Sequence, residues 1–145
     1  MPSDVAPRFW IGVVHLAQAR AAQAAGFVAL SHGKEAAMAK LSLGDRVIYY
    51  APKTDFDGDP VQAFVALLTV TGETVRERPL PGTEFRPFAR DAAVYQDINE
   101  VPVRPLLDHL SFVKSPRHWG MAFRRSQFEI SEHDFNLITE GMAKP

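Results

Sequence analysis

Apolar residues recur along most of the chain with the two-residue period of strands, and in only a few windows with the wider spacing of a helix. Residues 8–14 (RFWIGVV) are aromatic and β-branched, a first strand in which Gly12 lets another backbone approach closely. Residues 15–26 (HLAQARAAQAAG) are rich in Ala and close on Gly, which predicts a helix stopped by a left-handed residue. Its small side chains let it lie flat against a sheet. A short strand over 27–31 and a short helical stretch over 33–41 follow. Gly44-Asp45 then turns the chain into a strand with Val47 and Tyr49 on one face and Ile48 and Tyr50 on the other, so at most one tyrosine faces a pocket. Pro52 is expected to end that strand.

Residues 53–60 (KTDFDGDP) form a polar loop. The run 61–73 (VQAFVALLTVTGE) is apolar without strong alternation, which fits a strand buried on both sides or a barrel wall. A Pro-rich connector covers 76–85, and 85–95 reads as a strand whose Pro87 marks an edge or bulge. Residues 103–113 suggest a strand end running into a helical turn, and the basic, aromatic segment 115–131 returns to a strand. Ser131 precedes a last helix, with Asp134 three residues on and Phe135, Ile138 and Met142 on one face. No repeat, heptad or low-complexity tract interrupts this order. A doubly wound parallel sheet needs a helix after each strand, and the middle of the chain offers none. The pattern therefore predicts an α+β domain, a small mixed β-barrel with flanking helices.

Composition narrows the class. The chain has 145 residues, 46% hydrophobic and 23% charged, which suits one globular domain over 1–145 with a core of its own. It has no Cys, so disulfides and Cys-ligated zinc are excluded, as fits a reducing compartment. The N-terminal residues show no secretory pattern, and no apolar run approaches the roughly 20 residues that span a bilayer. A cytoplasmic protein without a membrane partner is expected. Its net charge of −1 means that any nucleic-acid binding needs a local basic face.

Catalytic signatures are sparse. Asp55, Asp57 and Asp59 around Gly58 resemble a calcium loop, but residue 66, where a bidentate Glu belongs, is Ala. His15, His32, His109, His118 and His133 lack metal-ligand spacing, and no phosphate loop or nucleophile elbow is present. No metal, cofactor or catalytic residue is expected.

The segments 8–14, 26–34 (GFVALSHGK), 41–52 (LSLGDRVIYYAP) and 106–138 follow one another in the order and spacing of EVE-domain proteins, and the chain resembles that family over essentially its whole length. The most specific part runs from Leu106 to Ile138, with its F-V-K…W-G-x-x-F-R core. The resemblance implies a PUA-like pseudo-barrel, related to YTH and ASCH domains, with the strands at 8–14 and 45–51 flanking a pocket. That pocket would read a modified base in RNA or DNA, presented single-stranded or flipped. The pocket residues so implied are His15, Phe27, Val28, Ser31, Tyr50, Trp119 and Phe123. Backbone contacts would come from His32, Lys34, Lys53, Lys114, Arg117, Arg124 and Arg125 around one opening.

Two positions depart from the related YTH pattern. Phe27 stands where Trp is common, and stacks with less area; His15 stands where Asn is common, and donates or accepts according to its tautomer. Each candidate also has a plainer structural reading. Phe27 fits a strand core, His15 a helix start, His32 and Lys34 a loop surface, Trp119 a lid over the barrel, and Arg124-Arg125 a solvated face. The alternative function is a metal-independent ribonuclease of the ASCH type, with His32 and Lys34, or His118 and Lys114, as acid and base. A small-ligand or protein-binding module is the third class.

Overall fold

The computed structural model describes residues 6–30, 33–79, 84 and 86–143. Its sheet is organised by one long hairpin, β3 (Arg46–Lys53) paired antiparallel with β4 (Pro60–Val70). Alternation along β3 sends Val47, Tyr49 and Ala51 into one apolar cluster and Ile48 and Tyr50 into a second. The continuous apolar run of β4 serves both, with every residue from Ala63 to Leu68 buried. The pairing slips between Tyr49, opposite Ala66, and Tyr50, opposite Phe64; such bulges sharpen the twist that curls a sheet. A second slip falls between Ala51 and Lys53. Pro52 lies inside it, where the ladder asks for no N–H, so the strand runs on to Lys53 instead of ending at the proline.

Around the hairpin, β1 (Phe9–Val13) lies parallel to β3, and β8 (Gln127–Ile130) lies antiparallel to β1. Beyond β4 come β6 (Phe88–Val94) and β2 (Phe27–Val28). The short strands β5 (Arg76–Glu77) and β7 (Val101–Pro102) add to β6 and β4. The described strands thus run β2-β6-β4-β3-β1-β8 in a mixed sheet curled into a half-barrel, as the α+β expectation required.

Helices cover both faces. The first, α1 (Leu16–Ala25), buries Ala19 and Ala22 against the first cluster and ends at Gly26, whose φ of 77° only glycine adopts without cost. The second, α2, is the short Glu35–Ala39. The third, α3 (Glu132–Met142), seats Phe135, Ile138 and Met142 on the second cluster; Ser131 caps it by accepting the Asp134 N–H at 3.2 Å. The fully buried Asp134 carboxylate in turn accepts the Ser111 N–H at 3.0 Å and hydroxyl at 2.5 Å, which ties α3 to the chain that crosses over it. The strand expected over 27–31 contracts to Phe27–Val28, and the helical turn near 103–113 is a 3-10 turn at Arg104–Leu106.

Gly12 is needed for a close approach, but of a side chain. A Cβ there would sit 2.2 Å from Leu30 Cδ2, and Leu30 is itself fully buried. Gly12→Ala should therefore cost about 1–3 kcal/mol, read as a lowered denaturant midpoint.

Candidate nucleic-acid interface

The register brings several chain segments to one end of the sheet. Val13 lies beside Tyr50, and its N–H donates to Ser126 O at 2.9 Å. The next residue, Val14, donates to Tyr50 O, and Ala17 in the first turn of α1 donates to Thr54 O. Gln127 Nε2 donates to Ala37 O of α2 at 3.1 Å. Arg104 donates to the Gln62 side chain near the start of β4. The exits of β1 and β3, the starts of α1, β4 and β8, and the α2 segment all meet there.

A 3-10 segment, Pro116–Arg124, covers this end and is broken at His118, whose φ and ψ of −115° and 39° leave the helical region. Below it lies an aromatic stack. Tyr50 and Phe123 rings are 3.9 Å apart and nearly parallel, Phe112 meets Phe123 edge-on at 5.8 Å, and Trp119 meets it edge-on at 6.1 Å. Tyr50 and Phe123 are buried, whereas Trp119 is only half-buried. The Arg104 guanidinium lies 5.4 Å from the Trp119 ring centre, a cation–π contact that fixes the indole.

Against this stack opens a groove of about 350 Å³, formed by Phe112 to Ser115 with His118, Trp119, Met121, Ala122 and Arg125. That volume is at the small end of ligand pockets, which run from about 300 to 1,000 Å³. Lys114, Arg117, Arg124 and Arg125 are exposed on the same segment, and among the described residues no carboxylate pairs with them. An apolar floor under an unneutralised cationic rim can hold a flat ring by its faces and an anion at its edge. The described residues hold no cluster of His, Asp and Glu suited to a metal ion.

The structure thus brings Tyr50, Trp119 and Phe123 together, with Lys114 and Arg125 at their groove and Arg117 and Arg124 beside it. Lys53 is exposed at the same end of the sheet, and Lys34 is exposed at the start of α2. His15 occupies the N-cap position of α1 without a side-chain capping hydrogen bond; its Nδ1 is buried without a hydrogen-bond partner, the one such side-chain atom among the described residues. Phe27 and Val28 are placed differently. Both are fully buried in the first cluster, across the sheet from Trp119, and the two rings do not form walls of one cage. The Arg78 guanidinium stands 5.3 Å from the Phe27 ring centre on its outer side. Ser31 and His32 lie outside the described residues.

Phe112 and Met121, which line the groove, and Arg104, which holds the indole, escape sequence reasoning. Phe112 was within reach, because it opens the F-V-K…W-G-x-x-F-R core that also carries Trp119. Arg104 has no local signal; only the crossing of its 3-10 turn over the sheet end brings it to the indole.

Burial raises both tyrosine hydroxyls, Tyr50 to about 12 despite the opposing pull of Arg104. Tyr49 is held by Ala29, whose N–H donates to its hydroxyl at 3.2 Å and whose carbonyl accepts from it. Neither phenol serves as an acid or base near neutrality. Because the folded values lie above the unfolded value near 10, the stability they contribute is whole below about pH 10 and is lost as pH rises towards 12. Tyr50→Phe should flatten that alkaline limb in denaturant titrations from about pH 10 upward, where the unfolded phenol ionises and the folded one does not.

Comparison with known proteins agrees with the architecture. A family model described as the EVE domain matches residues 8–141. The UPF0310 protein msl3206 of Mesorhizobium japonicum is 37% identical over 94% of this chain and 93% of its own length. A UPF0310 protein of Bacillus licheniformis, encoded in the gntR 5' region, is 41% identical over 82% of this chain and 80% of its own. Among solved structures, ASCH from Zymomonas mobilis superposes with a TM-score of 0.58 at 12% identity, covering 94% of this chain and 97% of that one. At that identity the likeness speaks for the fold alone, and it bears out the PUA-like barrel. No described helix is long and apolar enough to cross a membrane.

Proposed function

The chain belongs to the EVE domain family, and we propose that it is a non-catalytic cytoplasmic module that binds RNA or DNA and reads a modified base, unpaired or flipped, against Trp119. One observation carries the reading: a half-buried indole, backed by Phe123 and fixed by Arg104, forms part of a groove whose rim is cationic and unneutralised. Stacking on an aromatic face needs an unpaired base, because a base within a duplex keeps its faces covered. The rim supplies the sequence-independent affinity for phosphate that positions such a base. Preference for a modified base is supported by the family's relation to base-reading domains. His15 stands at the same sheet end with a buried, unpartnered Nδ1 but outside the groove lining, so it would answer a base edge only after its ring turns outward.

Affinity for a single-stranded oligonucleotide should fall as salt rises, with log affinity against log salt sloping by about 0.7 for each phosphate contact. Lys114→Gln and Arg117→Gln should each remove roughly 0.7 from that slope and weaken all sequences alike. Salt-independent binding would point instead to a small neutral ligand.

A second reading, metal-independent RNA cleavage, rests on Lys114 and His118 forming the same groove. It requires shortened RNA after incubation, abolished by His118→Ala. Binding alone leaves the strand intact.

A further inference from the structure

Phe56 is the most exposed large apolar side chain among the described residues, at 79%. It stands in the loop between β3 and β4, and that loop is built. Thr54 N–H donates to Asp59 O at 3.0 Å, Asp59 N–H donates to the Thr54 hydroxyl at 3.1 Å, and Gly58 N–H donates to Asp55 O at 3.1 Å. The turn so closed presents the phenyl ring outward. Asp55 and Asp57 flank it in sequence, Asp59 closes the same turn, and all three are exposed. An aromatic knob on a turn carrying three carboxylates repels a phosphate backbone. It matches an apolar hollow with a cationic rim, which is what the Trp119 groove is, with Met121 there 61% exposed.

We propose that Phe56 of one copy of this chain inserts into the Trp119 groove of a second copy, with Asp55 and Asp57 facing its Lys114 and Arg125. Knob and groove lie at the same end of the sheet, since the loop joins the exit of β3 to the start of β4 and Trp119 is fixed by Arg104, itself bonded to Gln62. The contact can therefore be reciprocal about a twofold axis, each copy giving one knob and receiving one. Two such contacts bury far less than the roughly 1,600 Å² of a standard stable interface, so the dimer is weak and reversible. It occupies the groove and competes with any ligand there. The association is independent of the nucleic-acid reading and is measured without nucleic acid.

Sedimentation velocity from micromolar to millimolar protein tests it. The expected result is a reversible monomer–dimer equilibrium at low salt that weakens as salt rises. Phe56→Ala should weaken it about tenfold or more, the scale of a lost aromatic anchor, and the double change Asp55→Asn, Asp57→Asn should also weaken it. Trp119→Ala should do the same from the other side. A mixture of Phe56→Ala and Trp119→Ala should associate better than either alone, because one intact knob then meets one intact groove; misfolded variants give no such rescue. A strictly monomeric wild type overturns the proposal, as does a dimer indifferent to Phe56→Ala. So does a Phe56→Ala variant whose only defect is weaker oligonucleotide binding, which would make the ring a stacking platform for a neighbouring base.

Discussion

Phe27→Ala should lower stability by about 3–5 kcal/mol and leave nucleic-acid affinity unchanged. The ring is fully buried in the cluster under α1, with Ala22, Val28, Leu30 and Met38 among its members. Truncation removes its contacts and leaves a cavity that a close-packed interior fills only in part. The loss is a large share of the 5–15 kcal/mol typical of a domain, so it should be plain in a urea or thermal melt. The paired measurement is an oligonucleotide titration at a temperature where the variant is folded. A small stability change with a large loss of binding would move the pocket to the far face of the sheet and refute the placement at Trp119.

Asp45→Ala should cost about 3 kcal/mol or more, through a different cause. The carboxylate is buried and accepts three hydrogen bonds: from Trp10 Nε1 at 3.0 Å, from Arg8 N–H at 3.0 Å and from Ser42 N–H at 2.9 Å. It joins the start of β1 to the turn that begins β3. A buried donor left without its partner costs about 1–3 kcal/mol, and the Trp10 indole N–H makes its bond to Asp45 in a buried position. The two backbone donors are part-buried and recover some solvation, which holds the total below the sum. Asp45→Asn keeps the shape and one acceptor oxygen, so its denaturant midpoint should fall between wild type and Asp45→Ala. Equal stability of the Ala and Asn variants would contradict this account of the turn.

Much of the architecture was legible in the sequence because its causes are local. Alternation at Val47 to Tyr50 assigned each residue to its cluster, the Ala-rich stretch ending in Gly26 gave α1, and Ser131 with Asp134 gave the start of α3. The end of β3 was misread because Pro52 normally stops a strand, and only pairing with β4 reveals the slip that accommodates it. Phe27 shows the deeper limit. A period of two separates the faces of a strand, but it does not say which face becomes core and which opens to a ligand. That choice rests on what packs above, here α1 over Phe27 and a 3-10 segment over Tyr50. The basic, aromatic segment 115–131 did point to a candidate surface, since a run of cations beside an indole has no role in a core. Arg104 and Gln62, far apart in sequence, complete it through contacts that exist only in the fold.

Stacking of a modified base on Trp119 can be read in one paired measurement. Wild type and Trp119→Ala are titrated with a modified and an unmodified single-stranded oligonucleotide at fixed salt, beside thermal melts of both proteins. Wild type should prefer the modified strand. Trp119→Ala should lose about 1–3 kcal/mol of binding, as removal of a stacking platform does, and lose most of the preference. Its melt should shift far less than that of Phe27→Ala, because the indole is only half-buried. Equal affinity of both proteins for both strands, with a melt lowered as far as that of Phe27→Ala, would show that the indole holds the domain together and reads nothing.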